Sequence, residues 1–185
     1  MRKQVLLDTG PLVALINRRD RFHQWIKTEL MQIEPPLLTC EAVITEASFL
    51  LRSVYGGQKA MLSLIERGVI QSPFHLEKEV NRVGELLNRY QSVPMSLADA
   101  CLVRMAEQYS SSYLLTLDSD FNIYRKERNQ SIPVIMPNDD SVIRSGWLAA
   151  SAICCASSTI SEQYQDSFSV GVGFPHFLKC SVYLG

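Results

Sequence analysis

"YLLTLDSDFNIY", residues 113–124, opens as a buried strand and closes with Asp118 and Asp120 at its mouth, separated by a single residue. A short apolar run without polar alternation marks a strand covered on both faces. The carboxylates that follow it have two readings. Asp ends strands and caps helices at little cost, so a turn followed by the cap of "FNIYRK" accounts for both residues. A metal site accounts for them equally well, and the choice depends on the rest of the chain.

Working outward, "KQVLL" (residues 3–7), "PPLLTC", "GVIQSP" and "IPVIMP" are further short apolar runs. Between them lie segments with helical spacing. "TGPLVALIN" and "RFHQWIKTELMQI" follow the first strand, and "EAVITEASFLLRSV" (41–54) follows the second, ended by "YGG", whose glycines tolerate positive φ. A helix over 58–67 precedes the third strand. "LEKEVNRVGELLNRY" carries Val80, Val83, Leu86 and Leu87 on one stripe, and "SLADACLVRMAEQY" follows with its own N-terminal signal. Short strands apolar on both faces and separated by helices predict a three-layer α/β/α sandwich with a central parallel sheet. Right-handed crossovers then put helices on both faces.

The 185 residues are 46% hydrophobic and 20% charged, enough for one domain over residues 1–140 and a remainder. That remainder, 141–185, is rich in Ser, Gly and Cys and has no sustained period. It is expected to be a weakly ordered or peripheral appendage, one that docks through Trp147 and Leu148, or an extension foreign to the fold. A net charge of −1 supplies no global basic field for nucleic acid or an anionic membrane, so any nucleic-acid contact must be local or assisted by a cation. The apolar start of the chain stops at Asp8, short of a signal peptide, and "WLAASAICCASSTI" is too short to span a membrane. Five cysteines without a C-x-x-C pair indicate neither a disulfide framework nor zinc, and a reducing, cytoplasmic setting is the simplest expectation.

In an open α/β sheet the ligand sits beyond the carboxyl ends of the strands. Asp8 ends the first strand, and Asp118 and Asp120 end the fourth. Asp8 has a competing reading as the N-cap of "TGPLVALI". Glu46 is harder to explain away: its helical neighbours three and four residues either side, Ala42, Val43, Phe49 and Leu50, are all apolar. An unpaired carboxylate on an inward stripe costs several kcal/mol, so it is normally paired or bound to metal; the rival is a Glu snorkelling from the stripe's edge. Asp99 sits among Met95, Leu102 and Val103, and "SLAD" also makes it the N3 member of a capping box. Four carboxylates in one low-dielectric cleft repel, and divalent cations relieve that. All-oxygen ligation suits Mg²⁺ or Mn²⁺, and none of His23, His75 and His176 has ligand spacing with another His.

"VLLDTGPLVALIN", "LLTCEAVITEASFLL", "SLADACLVRMAEQ" and "LLTLDSDF" together resemble PIN-domain ribonucleases, most closely VapC-type toxins of bacterial toxin–antitoxin pairs, over about residues 3–138. The resemblance implies a PIN-like fold and a metal-dependent endoribonuclease whose acidic quartet falls on Asp8, Glu46, Asp99 and Asp118, with Asp120 as an auxiliary. It implies Mg²⁺, with Mn²⁺ able to substitute, an RNA substrate, a homodimer, and a small antitoxin whose extended segment blocks the pocket. Thr9 and Thr116 match places where the family often has a hydroxyl near the site, and Thr116 is a candidate for contacting substrate. Ser119 stands where a basic residue is common, and the residues after Ser145 have no counterpart in the family.

Metal-assisted in-line attack of water on a phosphodiester would use Asp8, Asp99 and Asp118 as ligands, with Glu46 ligating or orienting the water. Arg18, Arg19 and Arg21 are candidates for gripping substrate, against a reading as a solvated helix connection; Arg125, Lys126 and Arg128 carry the same two readings. A haloacid-dehalogenase-type phosphotransferase needs D-x-D after the first strand, where this chain has Asp8, Thr9 and Gly10. A receiver domain needs an acid ending the third strand, where "VIQSP" has none. The alternative from another class is a non-catalytic PIN-like module that binds RNA or protein, which gains nothing from four carboxylates that repel phosphate.

Overall fold

Val5, Leu6 and Leu7 are each no more than 2% exposed, and their side chains alternate across the first strand. Val5 and Leu7 enter one apolar cluster with Leu12, Leu37, Ile70 and Leu115. Leu6 enters another with Leu114, Val83, Leu86 and Leu102. A sheet buried on both faces needs helices on both, and each fully buried leucine contributes about 1.5–3 kcal/mol to holding them there. The computed structural model describes residues 2–137 apart from Lys3 and Pro94, and only the backbone of Arg128. The extension expected over 141–185, with Trp147 and Leu148, lies outside the described residues.

The strands are β1 (Val5–Leu7), β2 (Leu37–Leu38), β3 (Ile70–Gln71), β4 (Tyr113–Leu115), β5 (Arg125–Lys126), β6 (Gln130–Ser131) and β7 (Val134–Ile135). The helices are α1 (Thr9–Ile16), α2 (His23–Leu30), α3 (Glu41–Leu51), α4 (Gly57–Glu66), α5 (Leu76–Arg89) and α6 (Leu97–Gln108). Five strands form one parallel sheet in the order β3-β2-β1-β4-β7. The chain builds outward from β1 to β3, then crosses back to place β4 on the other side of β1. Strand order therefore reverses between β1 and β4, the topological switch point at which such sheets hold ligands. This is the three-layer parallel architecture expected of the sequence.

Several local expectations needed revision. α3 stops at Leu51, three residues short of the expected end, and Gly56 at φ 69° sets up α4. Gly57 allows the close return, since a Cβ there would lie 3.0 Å from the Leu51 carbonyl oxygen. On α5 the buried stripe is Val83 and Leu86, with Leu87 half-buried; Val80 is 58% exposed, because the helix turns that position away from α6. α5 is held on α6 by Arg82, which donates to Glu107 at 2.6 and 3.1 Å, and by Arg104, which donates to Glu79 at 2.7 Å. "FNIYRK" forms no α-helix. Ser119–Asn122 make one 3-10 turn, after which Arg125–Lys126 pair antiparallel with Gln130–Ser131. Phe121 and Tyr124, three residues apart and no more than 1% exposed, pack edge to face and pull this segment onto the core.

Candidate active site

Register decides which side chains meet at the switch point. Leu7 pairs with Leu115, so the next residues along, Asp8 and Thr116, stand side by side just beyond the strands' carboxyl ends. The Asp8 amide donates to the Leu115 carbonyl at 3.1 Å, which holds the pairing one residue further. Asp8 is 6% exposed, and both its oxygens are engaged. Oδ1 accepts from the Thr9 amide at 2.7 Å and Oδ2 from the Thr116 hydroxyl at 2.7 Å. The N-cap reading and the site reading of Asp8 therefore hold together: it caps α1 while pointing into the cleft.

Two threonines tie the neighbouring acids to Asp8. Thr116 accepts from the Asp118 amide at 2.9 Å while donating to Asp8. Thr9, whose amide caps on Asp8, donates its hydroxyl to Glu46 Oε2 at 2.9 Å. The buried stripe of α3 runs through Val43, Ala47 and Leu51 and leaves Phe49 exposed, so Glu46 is half-buried at the stripe's edge, where it has a definite partner across 37 residues of chain. Asp99 completes the capping box: it accepts from the Ser96 amide at 2.9 Å while Ser96 Oγ accepts from the Asp99 amide at 3.1 Å. Asp118 caps the 3-10 turn by accepting from the Asp120 amide at 2.9 Å, which leaves Asp120 half-buried beside it.

The electrostatics say how close these groups are. The Asp8 carboxyl is pushed up to about 8, by burial above all and then by the Asp99 and Asp118 charges, against the lowering effect of the Thr116 and Thr9 bonds. Asp99 is pushed up to about 6 by burial, partly offset by its two Ser96 bonds and increased by Asp118 and Glu46. Asp118 is also raised, chiefly by burial, with the Asp120 amide lowering it and the Asp120 charge raising it. Asp99 and Asp118 act on Asp8, and Asp118 and Glu46 act on Asp99, so the fold brings this quartet into one neighbourhood. No lysine or arginine figures among the principal influences on the three raised aspartates. Buried like charges without a counter-ion are an arrangement a divalent cation satisfies, and an all-oxygen donor set fits Mg²⁺ or Mn²⁺. Among the described residues, no three His, Cys, Asp or Glu side chains stand as a ready metal cage. The carboxylates are instead drawn to their own local donors.

The basic residues lie elsewhere. Arg18, Arg19 and Arg21 are exposed in the connection after α1, an eight-residue helix that leads away from Asp8 over about 12 Å. The structure does not bring them together with the quartet, and Arg21 lies over the Phe22 ring at 4.6 Å. Arg125 is committed in part and Lys126 wholly. One Arg125 nitrogen donates to the carbonyls of Asn122, Ile123 and Tyr124, and the buried Lys126 Nζ donates to the Ser110 carbonyl at 3.0 Å. The side chain of Arg128 lies outside the described set. Sequence reasoning missed Tyr124, which is buried behind the cleft with its phenol raised by burial and then by Asp99, Asp120 and Asp118. The Phe121/Tyr124 spacing in "DFNIY" was the available signal.

No curated protein matches the chain. Among solved structures it is similar to the Mycobacterium tuberculosis VapC20, a sarcin–ricin-loop-cleaving toxin, at 20% identity and a TM-score of 0.54, covering 60% of this chain and 87% of that one. It is also similar to VapBC2 from Rickettsia felis bound to a promoter DNA fragment, at 14% identity and a TM-score of 0.49, covering 74% of this chain and 100% of that one. The first likeness is one of fold. The family model of the PIN domain matches residues 5–127, from β1 through the 3-10 turn and β5 that follow the last acidic motif, and the chain belongs to the PIN-domain family.

Proposed function

We propose that this protein is a metal-dependent endoribonuclease and the toxin of a toxin–antitoxin pair. The observation that carries the reading is the meeting of Asp8, Glu46, Asp99 and Asp118 at the switch point, three of them raised and with no cation among their principal neighbours. A binding module for RNA gains nothing from such a cluster, which repels phosphate unless a cation intervenes. RNA as substrate, a small antitoxin and a homodimer follow the likeness to VapC toxins and belong to the same proposal, as does a cytoplasmic location. Among the described residues no helix is long and apolar enough to cross a membrane.

Asp8, Asp99 and Asp118 would hold Mg²⁺ or Mn²⁺, with Asp120 beside them. When bound, the cation lowers the pKa of water and neutralises charge at the phosphorus. The chain's own residues do the positioning. Thr116 orients Asp8 and the Asp118 backbone together, the Ser96 cap fixes Asp99 at the start of α6, and Thr9 holds one oxygen of Glu46. The other Glu46 oxygen would ligate the cation or orient the attacking water. RNA cleavage with Mg²⁺ or Mn²⁺, with and without chelator, tests this on wild type and Asp8→Asn; cleavage that survives both chelation and the substitution refutes it. The toxin role is tested separately: expression of this chain alone arrests growth, and co-expression of a small protein encoded beside it relieves the arrest.

A further inference from the structure

A polar recess of about 640 Å³ opens between the end of α5 and the β5–β6 hairpin, lined by Arg82, Arg89, Tyr90, Arg125, Glu127 and Asn129. Its size is that of a site for one small polar ligand. The two walls are joined where the Arg125 amide donates to the Tyr90 hydroxyl at 2.8 Å. The three arginines are not equivalent. Arg82 is spent on Glu107 and Glu85. Arg125 commits one terminal nitrogen to carbonyls, and among the described residues the rest of its guanidinium has no hydrogen-bond partner. Arg89, exposed in the last turn of α5, has no ion-pair partner among the described residues. Glu127 lies 3.7 Å from Arg104, which offsets its charge.

The recess adjoins the acidic cleft through one aromatic contact. The Tyr90 ring meets the Tyr124 ring edge to face at 5.1 Å, and Tyr124 is the buried phenol that Asp99, Asp118 and Asp120 act upon. On a chain with net charge −1, the Arg89 guanidinium and the unspent part of Arg125, beside an aromatic ring, are the local grip that a polyanion requires. Arginine forks match phosphate oxygens two at a time, and unstacked bases lie on Tyr or Arg planes.

We propose that this recess is a phosphate subsite for single-stranded RNA, in which Arg89 and Arg125 hold a backbone phosphate flanking the one cleaved at the acidic cleft, against the Tyr90 ring. The assignment rests on the ribonuclease reading but can fail independently of it. The probe is a fluorescein-labelled single-stranded oligoribonucleotide, bound to the full chain in EDTA so that neither metal nor cleavage contributes, and followed by anisotropy across a salt series. Arg89→Ala is expected to weaken binding about 3–10-fold and to reduce the slope of log K against log salt by about 0.7, the value of one phosphate contact on a single strand. Arg89→Lys restores most of that slope, and Asn129→Asp weakens binding by adding a negative charge to the rim. Both positions are exposed, and thermal unfolding verifies that the variants fold.

Unchanged affinity and slope in both Arg89→Glu and Asn129→Asp overturn the subsite, as does absence of RNA binding by the wild type. Binding of a mononucleotide as tight as that of the oligomer makes the recess a nucleotide site and overturns the assignment to RNA. Loss of polyglutamate binding in Arg89→Glu with RNA binding intact makes it a site for an acidic peptide and also overturns it. Cleavage assays separate the two claims. If Asp8→Asn cleaves as the wild type does but Arg89 governs RNA binding, the nuclease assignment falls and the subsite stands. If cleavage depends on metal and Asp8 while Arg89→Glu leaves KM unchanged, the subsite falls alone.

Discussion

Replacing Asp8 by Asn should make the metal-free protein more stable while abolishing cleavage. In the fold the Asp8 carboxyl titrates at about 8, against an ordinary value of 3.8. Between those limits the folded form binds a proton that the unfolded form has released, so stability falls as pH rises from about 4 to about 8. At pH 8 the rise of about four units corresponds to an upper bound of about 5–6 kcal/mol at about 1.4 kcal/mol per unit. Asparagine carries no charge to bury, but it offers one oxygen where Asp8 offers two, to the Thr9 amide and the Thr116 hydroxyl. Losing one of those acceptors costs about 1–3 kcal/mol. The balance is a gain of about 2–5 kcal/mol, or on the order of 5–15 °C in Tm for a domain of this size. The assay is thermal unfolding by circular dichroism in EDTA at pH 8 and pH 5. At pH 5 wild-type Asp8 is protonated in the fold and its remaining penalty is about 1–2 kcal/mol, so the variant's advantage should shrink to nothing or reverse. Adding Mn²⁺ at pH 8 should stabilise only the wild type and narrow the gap. If Asp8→Asn is no more stable than wild type at pH 8, or its advantage is the same at pH 5, the buried, uncompensated cluster described above is wrong.

Other substitutions separate the parts of the site from the frame that holds it. Thr116→Val keeps the side-chain shape but removes the bond to Asp8 and the acceptor of the Asp118 amide; metal affinity should fall about 10–100-fold with the far-UV spectrum unchanged. Glu46→Gln retains an acceptor for Thr9, so Tm should stay within about 2 °C while cleavage drops about 10²–10⁴-fold; cleavage within twofold of wild type would remove Glu46 from the mechanism. Glu107→Gln breaks the pairs with Arg82 and Arg104 that strap α5 to α6. With the Glu107 side chain 1% exposed and that of Arg82 21%, the cost in urea unfolding should be about 2–3 kcal/mol, with cleavage per folded molecule unchanged. Because those pairs hold the Glu107 pKa below its ordinary value, their stabilising contribution is full above that value and is lost as pH falls through the folded pKa, which acid titration of wild type against Glu107→Gln checks.

What could be read without coordinates was local. The five sheet strands, six helices and the Ser96/Asp99 capping box all follow from runs, stripes and caps within a few residues of one another. What could not be read depended on partners distant in sequence. Val80 fits the α5 stripe by spacing, yet α6 does not cover it. Lys126 reads as a surface cation, but it is buried and the Ser110 carbonyl, 16 residues earlier, takes its ammonium. Thr9 bonding Glu46 across 37 residues has no periodicity to betray it.

The same division runs through the site. Sequence alone determined that Asp8 and Asp118 end apolar strands and that Glu46 and Asp99 sit among apolar neighbours on helices, because burial patterns and caps are written at spacings of two to four residues. Only the tertiary structure decided that the four meet. That depends on β4 returning to lie beside β1 and on Leu7 pairing with Leu115, which sets Asp8 against Thr116 and brings Asp118 to the same edge. A slip of one residue in that register would send Asp8 and Thr116 to opposite faces and part the cluster, because side chains alternate with a period of two along a strand.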